Sequence, residues 1–165
     1  MKHVYLVRHA KSSWADPNLK DHDRPLNSRG RNDAPRMAAR LRKQGIKIDG
    51  ILTSTAKRAR QTAQAFVEAY GLGKDGILKE AKLYHAGPKT IERCIQKLPD
   101  EWDTVLVFGH NPGYTEAANA LKNNDYIGNV PTCGIVGSKS DTKKWSKWKL
   151  SDAKRTEFMT PKDEK

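Results

Sequence analysis

Three places in the sequence set phosphate-capable side chains directly after a short apolar run. Val4-Tyr5-Leu6-Val7 leads into Arg8-His9-Ala10. Gly50-Ile51-Leu52-Thr53 leads into Ser54, with Arg58 four residues on. Thr104-Val105-Leu106-Val107-Phe108 leads into Gly109-His110. A guanidinium fork matches two phosphate oxygens at once through charge-assisted hydrogen bonds. An imidazole, with an ordinary pKa of about 6.5, can attack phosphorus when neutral or offset phosphate charge when protonated. Arg8, Arg58, His9 and His110 therefore point to phosphoryl chemistry, provided that the fold brings them together.

The apolar runs are short and bounded by turn residues, as buried strands are. Between them the apolar residues take helical spacing. Ala34, Met37, Ala38 and Leu41 predict a helix over roughly Asn32 to Gln44, capped by Asn32 with Pro35 in its first turn and stopped by Gly45. Ala59, Ala63, Phe66, Val67 and Tyr70 share a second helical face that ends at Gly71. Pro88 suits the start of a third helix, with Ile91, Ile95 and Leu98 inward, and Tyr114 to Leu121 resumes helical spacing. Trp14 to Gly30 reads as a surface loop, and Ile77 to Tyr84 is ambiguous between strand and loop. Gly134 to Ser138 and Lys147 to Leu150 read as strands. Alternating strands and helices predict an α/β fold, a mainly parallel central sheet with helices on both faces. In such sheets ligands bind beyond the carboxyl ends of the strands, where all three clusters fall.

The motifs also resemble a known family. Val4-x-Leu6-Val7-Arg8-His9 followed by a small residue resembles the opening of the histidine phosphatase superfamily, which includes the cofactor-dependent phosphoglycerate mutases. Ser54-x-x-x-Arg58-Ala59-x-Gln61-Thr62-Ala63 is similar to its second arginine motif. Val107-Phe108-Gly109-His110-Asn111-Pro112-Gly113 is similar to its second-histidine motif, in the form of the phosphohistidine phosphatase (SixA-like) branch. Asp23-Arg24-Pro25-Leu26 with Gly30, and Pro131-Thr132-Cys133-Gly134, also resemble that branch. The resemblance runs from Lys2 to about Ser138 and more loosely to Pro161-Lys162. It implies a phosphoglycerate mutase-like fold, a phosphorylated intermediate on His9, and a phosphoryl group held by Arg8, Arg58 and His110. It implies no metal or organic cofactor.

Two departures bear on mechanism. Ala10 stands where the superfamily usually has glycine, which is harmless unless the backbone there needs a positive φ. The mutase-like members also place an acidic residue between the second arginine and the second histidine. Glu80 is the nearest candidate for that acid, but its neighbours Lys79, Ala81 and Lys82 do not match the motif, and an exposed charge is its plainer role. A missing acid favours a leaving group that departs easily, such as the imidazole of phosphohistidine.

Composition narrows the partners. The formal net charge of +12 favours anionic ligands. Lys143-Lys144-Trp145-Ser146-Lys147-Trp148-Lys149 interleaves aromatics with lysines, yet no recognition motif accompanies it, which argues against nucleic acid. Trp145 and Trp148, three apart, suggest one core and one exposed indole. Cys94 and Cys133 have no disulfide or zinc spacing, and Asp21-His22-Asp23 reads as a solvated loop, not a metal site. No apolar stretch is long enough for a membrane span.

The expectation is one histidine phosphatase domain over residues 1–165 with a frayed end, cytoplasmic, and acting on a phosphorylated substrate, in particular a phosphohistidine-bearing protein. A mutase or phosphatase of small phosphorylated metabolites is the alternative. A non-catalytic phosphoprotein or nucleic-acid binding module would leave His9 and His110 without a purpose.

Overall fold

A computed structural model describes residues 1–163. Six strands form one sheet: β1 (Lys2–Arg8), β2 (Gly50–Thr53), β3 (Ile77–Lys79), β4 (Thr104–Gly109), β5 (Ile135–Ser140) and β6 (Lys154–Met159), in the order β3-β2-β4-β1-β5-β6. β1, β2, β3 and β4 are mutually parallel. β5 runs antiparallel to β1, and β6 antiparallel to β5. The four principal helices are α1 (Ser28–Lys43), α2 (Lys57–Tyr70), α3 (Pro88–Ile95) and α4 (Gly113–Ala120).

Strand side chains alternate between two cores, as the two-residue period requires. Val4, Leu6, Leu52, Val105, Val107 and Val136 face α3, α4, Trp145 and Trp148. Tyr5, Val7, Ile51, Leu106, Phe108 and Ile135 face α1 and α2. The central strands are therefore buried on both sides, which is why they are apolar without interruption.

Several expectations change. α1 begins at Ser28, because Asn27 rather than Asn32 is its cap: the Asn27 side chain accepts from Gly30 N–H at 2.9 Å. Pro35 then lies inside the helix. The buried face of Ala34, Met37, Ala38 and Leu41 holds the helix across a proline that leaves one backbone carbonyl without its donor. Ile77–Lys79 resolves as the edge strand β3.

Lys147 to Leu150 is no strand. It lies across two 3₁₀ turns (Trp145–Lys147 and Leu150–Asp152), and the last strand falls at Lys154–Met159. Both indoles are core: Trp145 and Trp148 are fully buried, and Trp145 donates its N–H to the Trp102 carbonyl at 2.8 Å. Two indoles carry so much apolar surface that packing against α3 and α4 overrides local strand propensity. The expected frayed end concerns residues 164–165, which lie outside the described residues. Up to Asp163 the chain is tied down, since Arg40 and Arg36 donate to the Thr160 and Pro161 carbonyls.

Candidate active site

Strand pairing brings the three clusters together. β4 lies between β1 and β2, with Arg8 opposite Gly109 and Thr53 opposite Phe108. The residues just beyond these pairs continue the ladder. His9 N–H donates to the Gly109 carbonyl and Ser54 N–H to the Phe108 carbonyl, each at 3.0 Å. His9, Ser54 and His110 thereby emerge side by side, the two imidazole centroids 5.2 Å apart. Gly109 allows the close approach: a Cβ there would meet the Tyr114 ring at 2.6 Å.

The loop after His9 is braced from α2. Thr62 Oγ1 accepts the Ala10 N–H at 2.9 Å and donates to the Arg58 carbonyl at 2.7 Å. Gln61 accepts the Leu26 N–H at 2.8 Å. Ala10 is fully buried and not among the positive-φ residues, so alanine in place of glycine causes no backbone strain. Cys133, which does have a positive φ of 61°, donates its N–H to the Arg8 and His9 carbonyls and closes the other side of the loop.

His9 is 8% exposed. Its Nδ1 lies 2.7 Å from the Ala10 carbonyl oxygen, which can only accept, so Nδ1 carries the proton and Nε2 keeps its lone pair. Burial, then the charges of Arg58, Arg8 and Arg24, push its pKa down to about 4 against the Ala10 hydrogen bond. His9 is therefore neutral near pH 7, as a nucleophile must be.

Burial, then His9, Arg58 and His85, push His110 down to about 3, while Asp21 opposes them. His110 is thus neutral too, not the imidazolium that a charge-offsetting role calls for. A bound phosphate dianion would raise its pKa. His110 Nε2 lies 2.8 Å from Ser54 Oγ. His110 Nδ1 and Arg8 Nε are buried without a hydrogen-bond partner among the described residues. Buried polar atoms without partners are expensive, and such atoms at a site mark where a ligand completes the bonding.

Arg8 donates Nη1 to the Val130 carbonyl at 3.0 Å. Arg58, 5% exposed, donates to the Asp21 carbonyl oxygen at 2.6 Å and to the Asp21 carboxylate at 2.9 Å. The Glu80 carboxylate accepts the Lys82 N–H and caps the 3₁₀ turn Ala81–Leu83. Among the described residues no group of three or more His, Cys, Asp or Glu side chains could hold a metal ion. A cleft of about 770 Å³, lined in part by Tyr126, Arg155 and Phe158, includes neither histidine. The chemistry sits at the strand ends instead.

Three residues at the site escape sequence reasoning as site residues. Asp21 and Arg24 belong to the segment taken as a solvated loop. Asp21 instead opens a 3₁₀ turn and bonds Arg24 at 2.8 Å as well as Arg58. The guanidinium of the buried Arg24 also lies 3.3 Å from the ring centroid of Trp14. Tyr84 donates its hydroxyl to the Asp21 carboxylate and meets the His110 ring edge-on at 5.4 Å. The available signals were the resemblance of Asp23-Arg24-Pro25-Leu26 to the branch motif and the i, i+3 spacing of Asp21 and Arg24. Tyr84 gave none.

The model of the histidine phosphatase superfamily (branch 1) matches residues 4–122. The chain belongs to the histidine phosphatase superfamily, the class of phosphatase enzymes that its fold and site define. Within that class it is 31% identical to a protein of Agrobacterium tumefaciens described provisionally as phosphohistidine phosphatase SixA, with a TM-score of 0.81 over 97% of this chain and 98% of that one. An uncharacterized chloroplastic protein of Arabidopsis thaliana is 35% identical over an alignment of 129 residues that covers 73% of this chain and 59% of the relative. A probable phosphoglycerate mutase GpmB of Serratia proteamaculans is 41% identical over 120 residues, 68% of this chain and 53% of that protein. The chain thus spans little more than half the length of these two relatives.

Proposed function

We propose that this protein is a metal-independent phosphohydrolase that works through a phosphohistidine on His9, and that its substrate is phosphohistidine on a partner protein. His9 Nε2 attacks phosphorus in line, forming a P–N bond as the bond to the leaving group breaks. Water then attacks the phosphoryl-His9, releasing inorganic phosphate and restoring neutral His9. Arg8, Arg58 and His110 carry the phosphoryl oxygens through both steps. With Ser54 assigned as the donor to His110 Nε2, the His110 proton lies on Nδ1, the ring nitrogen that has no partner among the described residues and is open to a phosphoryl oxygen. Two easier displacements replace one, and positioning with charge stabilisation supplies the rate.

The observation that carries the substrate class is the state of the carboxyl groups. Glu80 is occupied in its own turn. Burial works against ionisation of Asp21, but hydrogen bonds from Tyr84, Arg24 and Arg58 outweigh it and hold the carboxyl well below the usual carboxylate range. A carboxylate held ionised by three donors is not poised to hand a proton to a departing alkoxide. An imidazole leaves without that help. The likeness to the SixA protein supports the same substrate, and the likeness to GpmB supports the second reading, a phosphatase or mutase of small phosphorylated metabolites. The burial of Trp145 and Trp148 leaves the lysine-rich segment 143–149 no exposed indole on which bases could stack.

A cytoplasmic setting is part of the proposal, supported by two buried cysteines that form no disulfide. Among the described residues no helix is long and apolar enough to cross a membrane.

A turnover screen tests the reading. Phosphohistidine protein and an aryl phosphate should be hydrolysed in excess chelator, and phosphoglycerate about 10²–10⁴-fold more slowly, the usual worth of a positioned acid. Efficient phosphoglycerate turnover that is lost in Glu80→Gln would reverse the substrate assignment. Activity lost to chelator and restored by a divalent ion would overturn the metal-free mechanism.

A further inference from the structure

An anion is already built into the phosphoryl clamp. Asp21 Oδ1 accepts from Arg24 at 2.8 Å, and Asp21 Oδ2 accepts from Arg58 at 2.9 Å and from the Tyr84 hydroxyl. The side chains of Arg24 and Arg58 are almost fully buried, whereas that of Asp21 is 42% exposed. The carboxylate is therefore the solvent-exposed partner of two buried arginines. Tyr84, half-buried, stands beside that carboxylate between His110 and His22, its ring 5.4 and 4.9 Å from theirs.

We propose that Asp21 is a specificity determinant that selects against substrates carrying extra negative charge. Its carboxylate takes up positive charge that an incoming phosphate dianion would otherwise meet, and it repels a leaving group that is itself anionic. Phosphoglycerate, with a carboxylate beside its phosphate, is penalised twice. A phosphoryl group on an imidazole, whose leaving nitrogen can carry a proton and a positive charge, is favoured. That last preference rests on the phosphohistidine reading; the charge selection does not.

The rival role for Asp21 is to position Arg58, and the two roles have opposite signs. If Asp21 competes for the clamp, removing its charge strengthens anion binding. If it only positions Arg58, removing it weakens binding.

The experiment is calorimetric titration of inorganic phosphate into wild type, Asp21→Asn and Asp21→Ala, at low and high salt. Both variants should bind phosphate about tenfold more tightly at low salt, the scale expected when one charge a few Å from a dianion is removed at a partly solvated site, with a smaller gain at high salt. In both, kcat/KM for phosphoglycerate should rise about tenfold relative to that for an aryl phosphate. Unchanged or weaker phosphate binding in both folded variants would overturn the proposal. If phosphate binding tightens while wild type leaves phosphohistidine untouched, Asp21 keeps its role and the substrate reading fails.

Discussion

Because the fold holds both site histidines neutral, mild acid should destabilise the protein by an amount set by those two residues. The pKa of His9 falls from 6.5 to about 4 and that of His110 from 6.5 to about 3, burial being the first cause in each case. A histidine with a depressed folded-state pKa binds its proton more readily in the unfolded chain. Stability is therefore fully present above about pH 6.5 and is lost as pH falls toward the folded value. Between about pH 7.5 and 5.5 the unfolded imidazole gains most of a proton while the folded one gains almost none, which costs about 1.3 kcal/mol per histidine and about 2.7 kcal/mol for the pair. His3 is shifted the same way and adds to the slope. The depressed carboxyls of Asp21, Asp103 and Asp163 act only below about pH 4 and do not interfere. Urea unfolding in phosphate-free buffer at the two pH values measures the loss. His110→Asn should cut it by about half, with the His3 contribution unchanged. A wild-type stability flat over this range, or a His110→Asn slope equal to wild type, would refute the burial argument.

Two further outcomes follow from the site and the core. His9→Ala should abolish turnover of an aryl phosphate, while folded Arg58→Ala should retain about 10⁻²–10⁻³ of wild-type kcat/KM, the usual effect of losing one preorganised charge donor. Trp145→Ala should cost about 3–5 kcal/mol in chemical denaturation through the cavity left beside α3 and α4.

The sequence by itself determined the central strands β1, β2 and β4 and the side chains that stand at their ends. Val4 to Val7 and Thr104 to Phe108 are apolar on both faces, and a strand of that kind has one place to go, the middle of a covered sheet. Once β1, β4 and β2 lie side by side, His9, His110 and Arg58 must meet, because each follows its strand at a fixed short distance. Local signals sufficed wherever the determining partners are near in the chain. Where local signals compete, tertiary contact decided. Asn32 is the cap expected from the sequence, yet the helix is capped by Asn27, where Gly30 packs so closely on Lys11 that a Cβ would meet its carbonyl at 2.2 Å. Trp145 and Trp148 have no strand or helix period, and their burial depends on α3 and α4, some fifty and thirty residues back in the chain. The Asp21 and Tyr84 contacts are of this kind as well. They join residues 37 and 63 apart to one carboxylate, and no spacing rule encodes a pairing that exists only after the sheet has closed. The neutral state of both histidines was equally out of reach, since a pKa depends on the water excluded and the charges brought near, quantities that only the packed site possesses.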